Sequence, residues 1–565
     1  MTDVRAGDKT PAGAEAGALD AVVVGAGFSG IYMLYLLRQQ GLTARVYEAG
    51  EGVGGTWYWN RYPGARCDSE SMDYAYSFSE ALQQEWNWSE RFSGHAEIRR
   101  YLNHVVDRFE LRRSIQFKTT VVAAHYGEED GRWTLTMDTG EVVRARFCVM
   151  ATGCLSMPQI PDVPGIKTFR GETYHSSRWP EEGVDFTGKT VGIIGTGSSG
   201  IQMIPVIAEE AKHLYVFQRT ANFSVPARNH PLDAEYLRDY KAHYREHREA
   251  ALRSAGGTAL TPDPTRAVPD DAPEERRRRL EDIWRLGGSD PILTLYRDIL
   301  TSKESNDVVV DFVAEKIRDT VADPTVADLL IPKDHPFGTK RLCVDTNYYE
   351  TFNRPNVTLV DVRKDPIREI TPDGLATEGR RFALDAIAFA TGFDAMTGAL
   401  FAIDIKGREG KTLKDKWAAG PRTFLGLMMA GFPNLFTVTG PGSPSVKSNM
   451  VMAIEQHVEW IARCIADLRA QGVVGIEPTL KAENDWTDHV ADVGNATLFP
   501  LANSWYVGAN IPGKPRVFMP YVGGLARYRQ ICDEIAADHY RGFTMTRASM
   551  NPQQDSARHA DRATV

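Results

Sequence analysis

Ala21-Val22-Val23-Val24-Gly25-Ala26-Gly27-Phe28-Ser29-Gly30-Ile31 is the stretch that decides the fold. Residues 21–24 form a short β-branched run, the mark of a parallel strand buried on both faces. A G-x-G-x-x-G turn follows at once, then an apolar helical stretch over residues 31–40, with Gly41 placed to end it at the C′ position. Residues 43–47 read as the next strand, and Glu48 stands at its end. Gly25 makes the tight turn, Gly27 lets backbone approach a pyrophosphate, and Gly30 lets helix and strand pack closely. The helix N-terminus then offers free N–H groups and a positive dipole end to the phosphates. Glu48, 23 residues after Gly25, is placed to accept hydrogen bonds from a ribose 2′,3′-diol. An isolated glycine motif is weak evidence; the strand before, the helix after and the acid beyond give this one its weight.

The same pattern recurs. Residues 189–194 read as a strand, Gly195-Thr196-Gly197-Ser198-Ser199-Gly200 as the turn, 201–212 as a helix and 214–217 as the returning strand. The position of the acid is now taken by Arg219, 24 residues after Gly195. A carboxylate there repels a 2′-phosphate, whereas a guanidinium binds one bidentately. The first site therefore suits an unphosphorylated dinucleotide and the second suits NADPH. Opposite preferences imply an electron-passing pair, with FAD as the natural hydride acceptor in the first site.

Working outward, the 565-residue length suggests three to four domains of ~150 residues, and the 42% apolar content excludes wholesale disorder. Glycine, at 49 residues, makes up about 9% against a usual ~7%. A net charge of −9 and a pI near 5.9 argue against a nucleic-acid or anionic-membrane binder. The six cysteines form no C-x-x-C and no cluster, which excludes a disulfide framework and a zinc site; no metal is expected. Cys148 and Cys154 read as unrelated buried thiols. Residues 1–19 lack the apolar core of a signal peptide, and no stretch approaches the ~20 apolar residues of a membrane span. The expectation is a soluble, cytoplasmic protein. Residues 227–335 turn charged and helical, over 234–253 and 274–286, and the run Arg276-Arg277-Arg278-Arg279 reads as a solvated helix face. Two Ala-Thr-Gly segments, 151–153 and 390–392, each end an apolar strand.

Between these lies F-x-G-x-x-x-H-x-x-x-W-P, carried by Phe169, Gly171, His175, Trp179 and Pro180. Placed between two dinucleotide turns, it resembles the fingerprint of the type I Baeyer–Villiger monooxygenases, which are FAD- and NADPH-dependent. The stretch from Gly54 through Gly55-Thr56-Trp57-Tyr58-Trp59-Asn60-Arg61-Tyr62-Pro63-Gly64 to Asp68 is similar to a second signature of that family. So are Pro336-Phe337-Gly338-Thr339-Lys340-Arg341, Gly440-Pro441-Gly442-Ser443-Pro444-Ser445 and Asn503-Ser504-Trp505-Tyr506. The resemblance spans about residues 19–545 and is greatest to the phenylacetone and steroid monooxygenase branch.

The fold class that follows is α/β: two Rossmann-like domains, each discontinuous in sequence, plus a mostly helical insertion. The expected boundaries are a flexible 1–18, an FAD domain over 19–154 and 394–547, an NADP domain over 155–226 and 336–393, an insertion over 227–335 and a flexible tail over 548–565. The resemblance implies that NADPH reduces FAD, that O2 adds at the flavin C4a, and that the peroxyflavin attacks a ketone. The tetrahedral (Criegee) adduct then rearranges to an ester or lactone. Aryl, cyclic or steroid-like ketones are the implied substrates, with sulfoxidation as a side activity and a monomer or weak homodimer as the assembly.

By the same resemblance Arg341 stabilises the peroxide and the oxyanion, and Asp68 orients Arg341. Ser29, Glu48, Thr56, Trp57, Tyr58, Trp59, Asp68, Tyr74, Val121 and Met450 contact FAD. Thr196, Gly197, Ser198, Ser199 and Trp505 contact NADP, with Arg219, Thr220 and Lys340 at its 2′-phosphate and Arg66 and Cys67 at its nicotinamide. His175 serves structure or conformational coupling. Cys154, Leu155, Ser445, Val446 and Lys447 line the substrate pocket. The chain departs from the phenylacetone-type pattern at Cys154 and at Val446-Lys447, where a lysine either reaches out to solvent or places charge at the pocket mouth. Three rivals remain at this stage: a nitrogen- or sulfur-oxygenating flavin enzyme, a flavin disulfide reductase (which lacks its cysteine pair here) and a non-catalytic NADPH sensor.

Overall fold

The structure, a computed structural model, describes residues 18–261 and 263–547. The two segments expected to be flexible, 1–18 and 548–565, lie outside the described residues apart from Ala18. The opening stretch folds as β1 (Leu19–Val24), α1 (Phe28–Gln39) and β2 (Ala44–Tyr47). β1 pairs in parallel with β2, Val23 opposite Val46. The helix begins at Phe28, three residues before its expected start, so that Gly30 lies within its first turn. A Cβ on Gly30 would lie 1.8 Å from the Gly25 carbonyl oxygen, which is the close packing that the third glycine permits. Gly30→Ala is expected to cost about 3 kcal/mol, a clash with backbone that cannot move aside. A wild-type midpoint on urea denaturation would contradict this.

β1 and β2 belong to an eight-stranded sheet that also holds Ile115–Gln116, an antiparallel meander (Val121–Gly127, Arg132–Met137, Val142–Met150) and two late strands, Asp404–Lys406 and Leu435–Thr437. Alternate residues of β1 face opposite cores. Ala21 and Val23 join a cluster with α1, and Val22 and Val24 one with Trp133 and Trp417.

The second unit, β3 (Thr190–Ile194), α2 (Ser198–Glu210) and β4 (His213–Gln218), repeats the first. Its five-stranded, wholly parallel sheet runs Val357–Asp361, β4, β3, Ala386–Phe389, Glu172–His175. α2 covers one face, and a small antiparallel sheet carrying Ile370, Leu375 and Phe382 covers the other.

Residues 227–335 fold mainly into helices, including Ala234–Ala242, Tyr244–Arg253, Pro273–Leu286, Lys303–Thr320 and Pro324–Leu330. Their buried side chains join existing cores: Tyr240, Tyr244 and Ala251 that of the first sheet, and Leu280, Tyr296 and Phe312 that of the second. The arginine run is a surface face, with Arg277 paired to Glu281 and Glu315 and Arg278 paired to Glu275 and Asp282. α3 (Met450–Ala470) lies against α1. Tyr32 donates to Glu459 at 3.1 Å, and the Gln40 amide donates to the Ala462 carbonyl at 2.9 Å. No helix among the described residues is long and apolar enough to cross a membrane, and no cluster of metal-ligating side chains occurs among them. All six cysteines are free and buried.

Candidate active site

A cleft of about 1380 Å³ opens between the carboxyl ends of the parallel strands of the two sheets, where doubly wound folds place their ligands. Both Ala-Thr-Gly segments form its floor, and Gly153 (φ 74°) and Gly392 (φ 80°) turn the chain there in the left-handed region.

Gly25, Gly27, Ser29 and Glu48 form the first wall. Glu48 Oε2 accepts from Ala26 N and Oε1 from Gly50 N, each at 2.7 Å. Burial raises the Glu48 pKa and these two amides oppose it. Each oxygen keeps a lone pair for a further donor such as a ribose hydroxyl. Gly27 faces Gly55, where a Cβ would come within 3.3 Å of the opposing Cα, so two bare backbones flank the space for a pyrophosphate. Thr56, Trp57, Trp59, Tyr74, Val121 and Met450 line the same wall. Tyr58 does not. Its ring packs behind the turn against Gly50 and Gly52, beside the Arg61 and Arg99 guanidiniums, and its hydroxyl accepts from Glu51 N at 3.0 Å. Gly30 and Gly200 likewise sit behind the cleft, where each fits against the first glycine of its own turn.

Gly195, Thr196, Gly197, Ser198, Ser199, Arg219, Thr220 and Lys340 form the second wall. A Cβ on Gly197 would meet nothing within 4 Å, so its backbone faces open cleft. The Thr196 hydroxyl donates to the Thr220 carbonyl at 2.9 Å and holds the strand end beside the turn. Arg219 is exposed, and Lys340 has one distant carboxylate, Asp334 at 3.9 Å. Burial lowers the Lys340 pKa, and Arg219 adds to that effect. Two cations thus crowd together without adequate counter-charge, at the position where a 2′-phosphate would supply it.

Arg341 lies where the walls meet. Its Nε donates to Asp68 Oδ2 at 2.9 Å, Nη2 donates to Asp68 Oδ1, and Nη1 donates to the Val446 carbonyl at 3.1 Å. Burial opposes the charge, but Asp68 outweighs it and holds the pKa above the ordinary guanidinium value. A third of the side chain (33%) stays open to the cleft. Arg66 and Cys67 line the adjoining wall; Arg66 pairs with Glu90 at 2.7 Å, and burial pushes the Cys67 thiol up.

Phe169, Gly171, His175, Trp179 and Pro180 stand outside the cleft lining. His175 Nδ1 accepts from Ser177 N at 3.2 Å, and Nε2 lies 3.3 Å from both the Gln159 carbonyl and the Thr391 hydroxyl. The ring therefore ties the end of a sheet strand to both crossings between the sheets. Burial lowers its pKa, which keeps it neutral. Trp179 is buried against Tyr174 and Phe186, and its carbonyl accepts from Arg61.

Of the expected substrate-pocket residues, Cys154, Leu155 and Val446 line the cleft, and Trp505 lines it beside the same apolar cluster. Ser445 and Lys447 do not. Ser445 is fully buried, with its hydroxyl toward Cys154 Sγ at 3.6 Å, and Lys447 is half-buried, with its ammonium over the rings of Phe499 and Tyr506. Sequence reasoning missed Gln202, which accepts from the Tyr62 hydroxyl at 2.8 Å and donates to the Arg66 carbonyl at 3.0 Å, locking α2 to the first domain's loop. Its spacing of four from Ser198 was the available signal. It also missed Asn449, whose side chain caps α3 and donates to the Asp73 carbonyl at 2.9 Å.

Residues 19–237 match the flavin-binding monooxygenase-like family. The chain is 46% identical over 543 residues to 2-oxo-Δ3-4,5,5-trimethylcyclopentenylacetyl-CoA monooxygenase of Pseudomonas putida, covering 94% of this chain and 99% of that protein. It is 43% identical over 535 residues to a Baeyer–Villiger monooxygenase of Pseudooceanicola batsensis, covering 94% and 97%. Among solved structures, an oxidized steroid monooxygenase bound to NADP superposes with a TM-score of 0.90 at 51% identity, covering 94% of this chain and all of that one. With a site of this geometry and relatives this similar along almost its whole length, the chain belongs to the Baeyer–Villiger monooxygenases of the flavin-binding monooxygenase-like family.

Proposed function

We propose that this enzyme holds FAD on its first wall and NADPH on its second and inserts one oxygen atom of O2 beside a ketone carbonyl. The product is an ester or lactone, from aryl, cyclic or steroid-like ketones. The observation that carries this reading is the Arg341–Asp68 pair at the junction of the two walls. The residues fit both cofactors: a carboxylate at a ribose on one side, two unmatched cations at a 2′-phosphate on the other, and facing glycines that leave room for pyrophosphate. When bound, the flavin supplies the redox chemistry, taking hydride from NADPH and passing oxygen to the substrate.

The chain supplies position and charge. Asp68 and the Val446 carbonyl engage three of the five guanidinium N–H groups of Arg341 and leave two for the cleft. As the ketone is attacked, negative charge gathers on its oxygen, and a cation fixed beforehand stabilises it without reorganising. Asp68 sets the plane of the guanidinium. Glu48 orients a ribose, and Arg219, Thr220 and Lys340 hold the phosphate that selects NADPH. His175 has both ring nitrogens engaged and moves no proton. Oxygenation at nitrogen or sulfur, the rival reading, builds no oxyanion on the substrate and gives Arg341 no such task.

Aryl, cyclic, steroidal and long-chain ketones, scored by ketone-dependent NADPH oxidation and by ester product, are expected to include at least one that is oxygenated. A panel in which no ketone yields an ester or lactone would overturn the proposal.

A further inference from the structure

Gln202 has no part in the chemistry above, yet it bolts the two walls of the cleft together. It lies on α2 one turn beyond Ser198, the first residue of that helix, and it lines the cleft. Opposite it runs the loop of the first wall that ends on Asp68. In this loop Cys67 N donates to the Ser93 carbonyl and His95 N to the Ala65 carbonyl, each at 3.0 Å. Arg66 stands between those two bonds, directly across from Gly94. Neighbouring residues of extended backbone turn their polar groups to opposite sides, so the Arg66 N–H and carbonyl point away from residues 93–95. They meet Gln202. Its Nε2 donates to the Arg66 carbonyl at 3.0 Å, and its Oε1 accepts from Arg66 N at 3.3 Å. Oε1 also accepts from the Tyr62 hydroxyl at 2.8 Å. The Arg66 N–H can only donate and its carbonyl only accept, which fixes the way the amide faces. A side chain of the second domain thus takes the place of an adjoining strand for the first. Gly64, at φ 80°, lies so close to α2 that a Cβ there would run into the Gln202 carbonyl oxygen. Three hydrogen bonds and one bare backbone therefore set α2 against Asp68, two residues beyond Arg66, which grips Arg341.

We infer that Gln202 is a positioning residue for the hydride step: by fixing α2 to the loop that carries Asp68, it sets the nicotinamide of NADPH against the flavin. The inference rests on the cofactor reading above and adds the residue that joins its two halves. In that step two electrons and a proton pass as hydride from NADPH to FAD, leaving NADP+ and FADH⁻. Donor and acceptor are held by different domains, so the seam between the domains sets the reacting distance. A misplacement of ~1 Å costs about 10²-fold in rate. Coenzyme affinity has another source, because Arg219 and Lys340 both belong to the second wall. Loosening the seam at Gln202 therefore leaves NADPH bound but misplaced. The Arg99–Glu181 pair also crosses the seam, at 2.8 Å, but it is partly exposed and holds no backbone of the loop.

The test mixes the FAD-loaded enzyme anaerobically with NADPH over a range of concentrations and follows flavin absorbance, which separates the limiting rate of reduction from the Kd of the coenzyme. Gln202→Met keeps the length of the side chain without its amide, and it is expected to lower the limiting rate by about 10–100-fold with Kd unchanged. Tyr62→Phe removes one of the three hydrogen bonds and is expected to lower the rate by about two- to tenfold. Glu181→Gln, which breaks the exposed pair with Arg99, is expected to change neither quantity. NADP+ titrated into the oxidised enzyme gives a readout apart from turnover: Gln202→Met is expected to bind it with wild-type affinity but to show a smaller perturbation of the flavin absorbance. An unchanged limiting rate in Gln202→Met overturns the inference and leaves both cofactor sites standing, and so does a loss confined to Kd. Should Gln202→Met fail to fold by thermal melting, Tyr62→Phe decides, and an unchanged limiting rate there overturns the inference. Wild-type flavin that NADPH does not reduce overturns the cofactor reading, and the inference with it.

Discussion

Arg341→Ala is expected to lower ketone-dependent ester formation by about 10²–10³-fold, the usual loss when a fixed donor to a developing oxyanion is removed. The substitution deletes the guanidinium that Asp68 holds by two N–H groups and the Val446 carbonyl by a third. Because Asp68 then loses the cation that pairs with it, with 19% of its side chain exposed, some stability is lost as well. Two measurements separate these effects. Anaerobic flavin reduction by NADPH reads the hydride step alone, and thermal melting reads the fold. Arg341→Lys retains charge without the bidentate fork, so it is expected to recover part of the rate and little of the Asp68 pairing. Ester formation within about tenfold of wild type in Arg341→Ala would remove Arg341 from the oxyanion role.

The second large effect concerns coenzyme choice. Arg219→Ala combined with Lys340→Ala is expected to lower the NADPH-to-NADH ratio of kcat/KM by about 10²-fold, from two charge-assisted contacts of which one is solvent-exposed. The loss falls on NADPH; NADH, which lacks the 2′-phosphate, changes little. Raised ionic strength screens the exposed Arg219 more than the half-buried Lys340, so Arg219→Ala alone is expected to matter most at low salt. A double variant with wild-type preference would place the phosphate elsewhere.

The two turn motifs were legible because their information is local: the first and third glycines of each answer a clash with backbone of the same turn or at the end of the adjoining strand, as Gly30 does with Gly25 and Gly195 with Ala390. Arg341 and Asp68, 273 residues apart in sequence, were reachable only through resemblance, since no periodicity or spacing announces such a pair. What stayed hidden was side-chain direction. Tyr58 sits one residue from two cleft-lining neighbours, yet turns away beside Arg61 and Arg99, a choice made by partners that a linear sequence does not display. The inward turn of Lys447 depends likewise on Phe499 and Tyr506, from a loop some fifty residues on. The stretch 227–335 read as an insertion by its charge and helical pattern, but its apolar positions could not say that its two halves would join different cores.

The seating of α3 on α1 has a consequence for how the protein is made. Tyr32 waits for Glu459 and Gln40 for Ala462, contacts separated by 427 and 422 residues. A ribosome adding ~5–20 residues per second leaves the first nucleotide turn without its covering helix for roughly 20–80 s. Its helix partner emerges only as synthesis nears its end, so the nascent N-terminal unit spends most of translation with its apolar flank open to chaperones. A premature stop codon ahead of residue 450 therefore removes the helix that covers this flank while leaving both nucleotide turns in the chain.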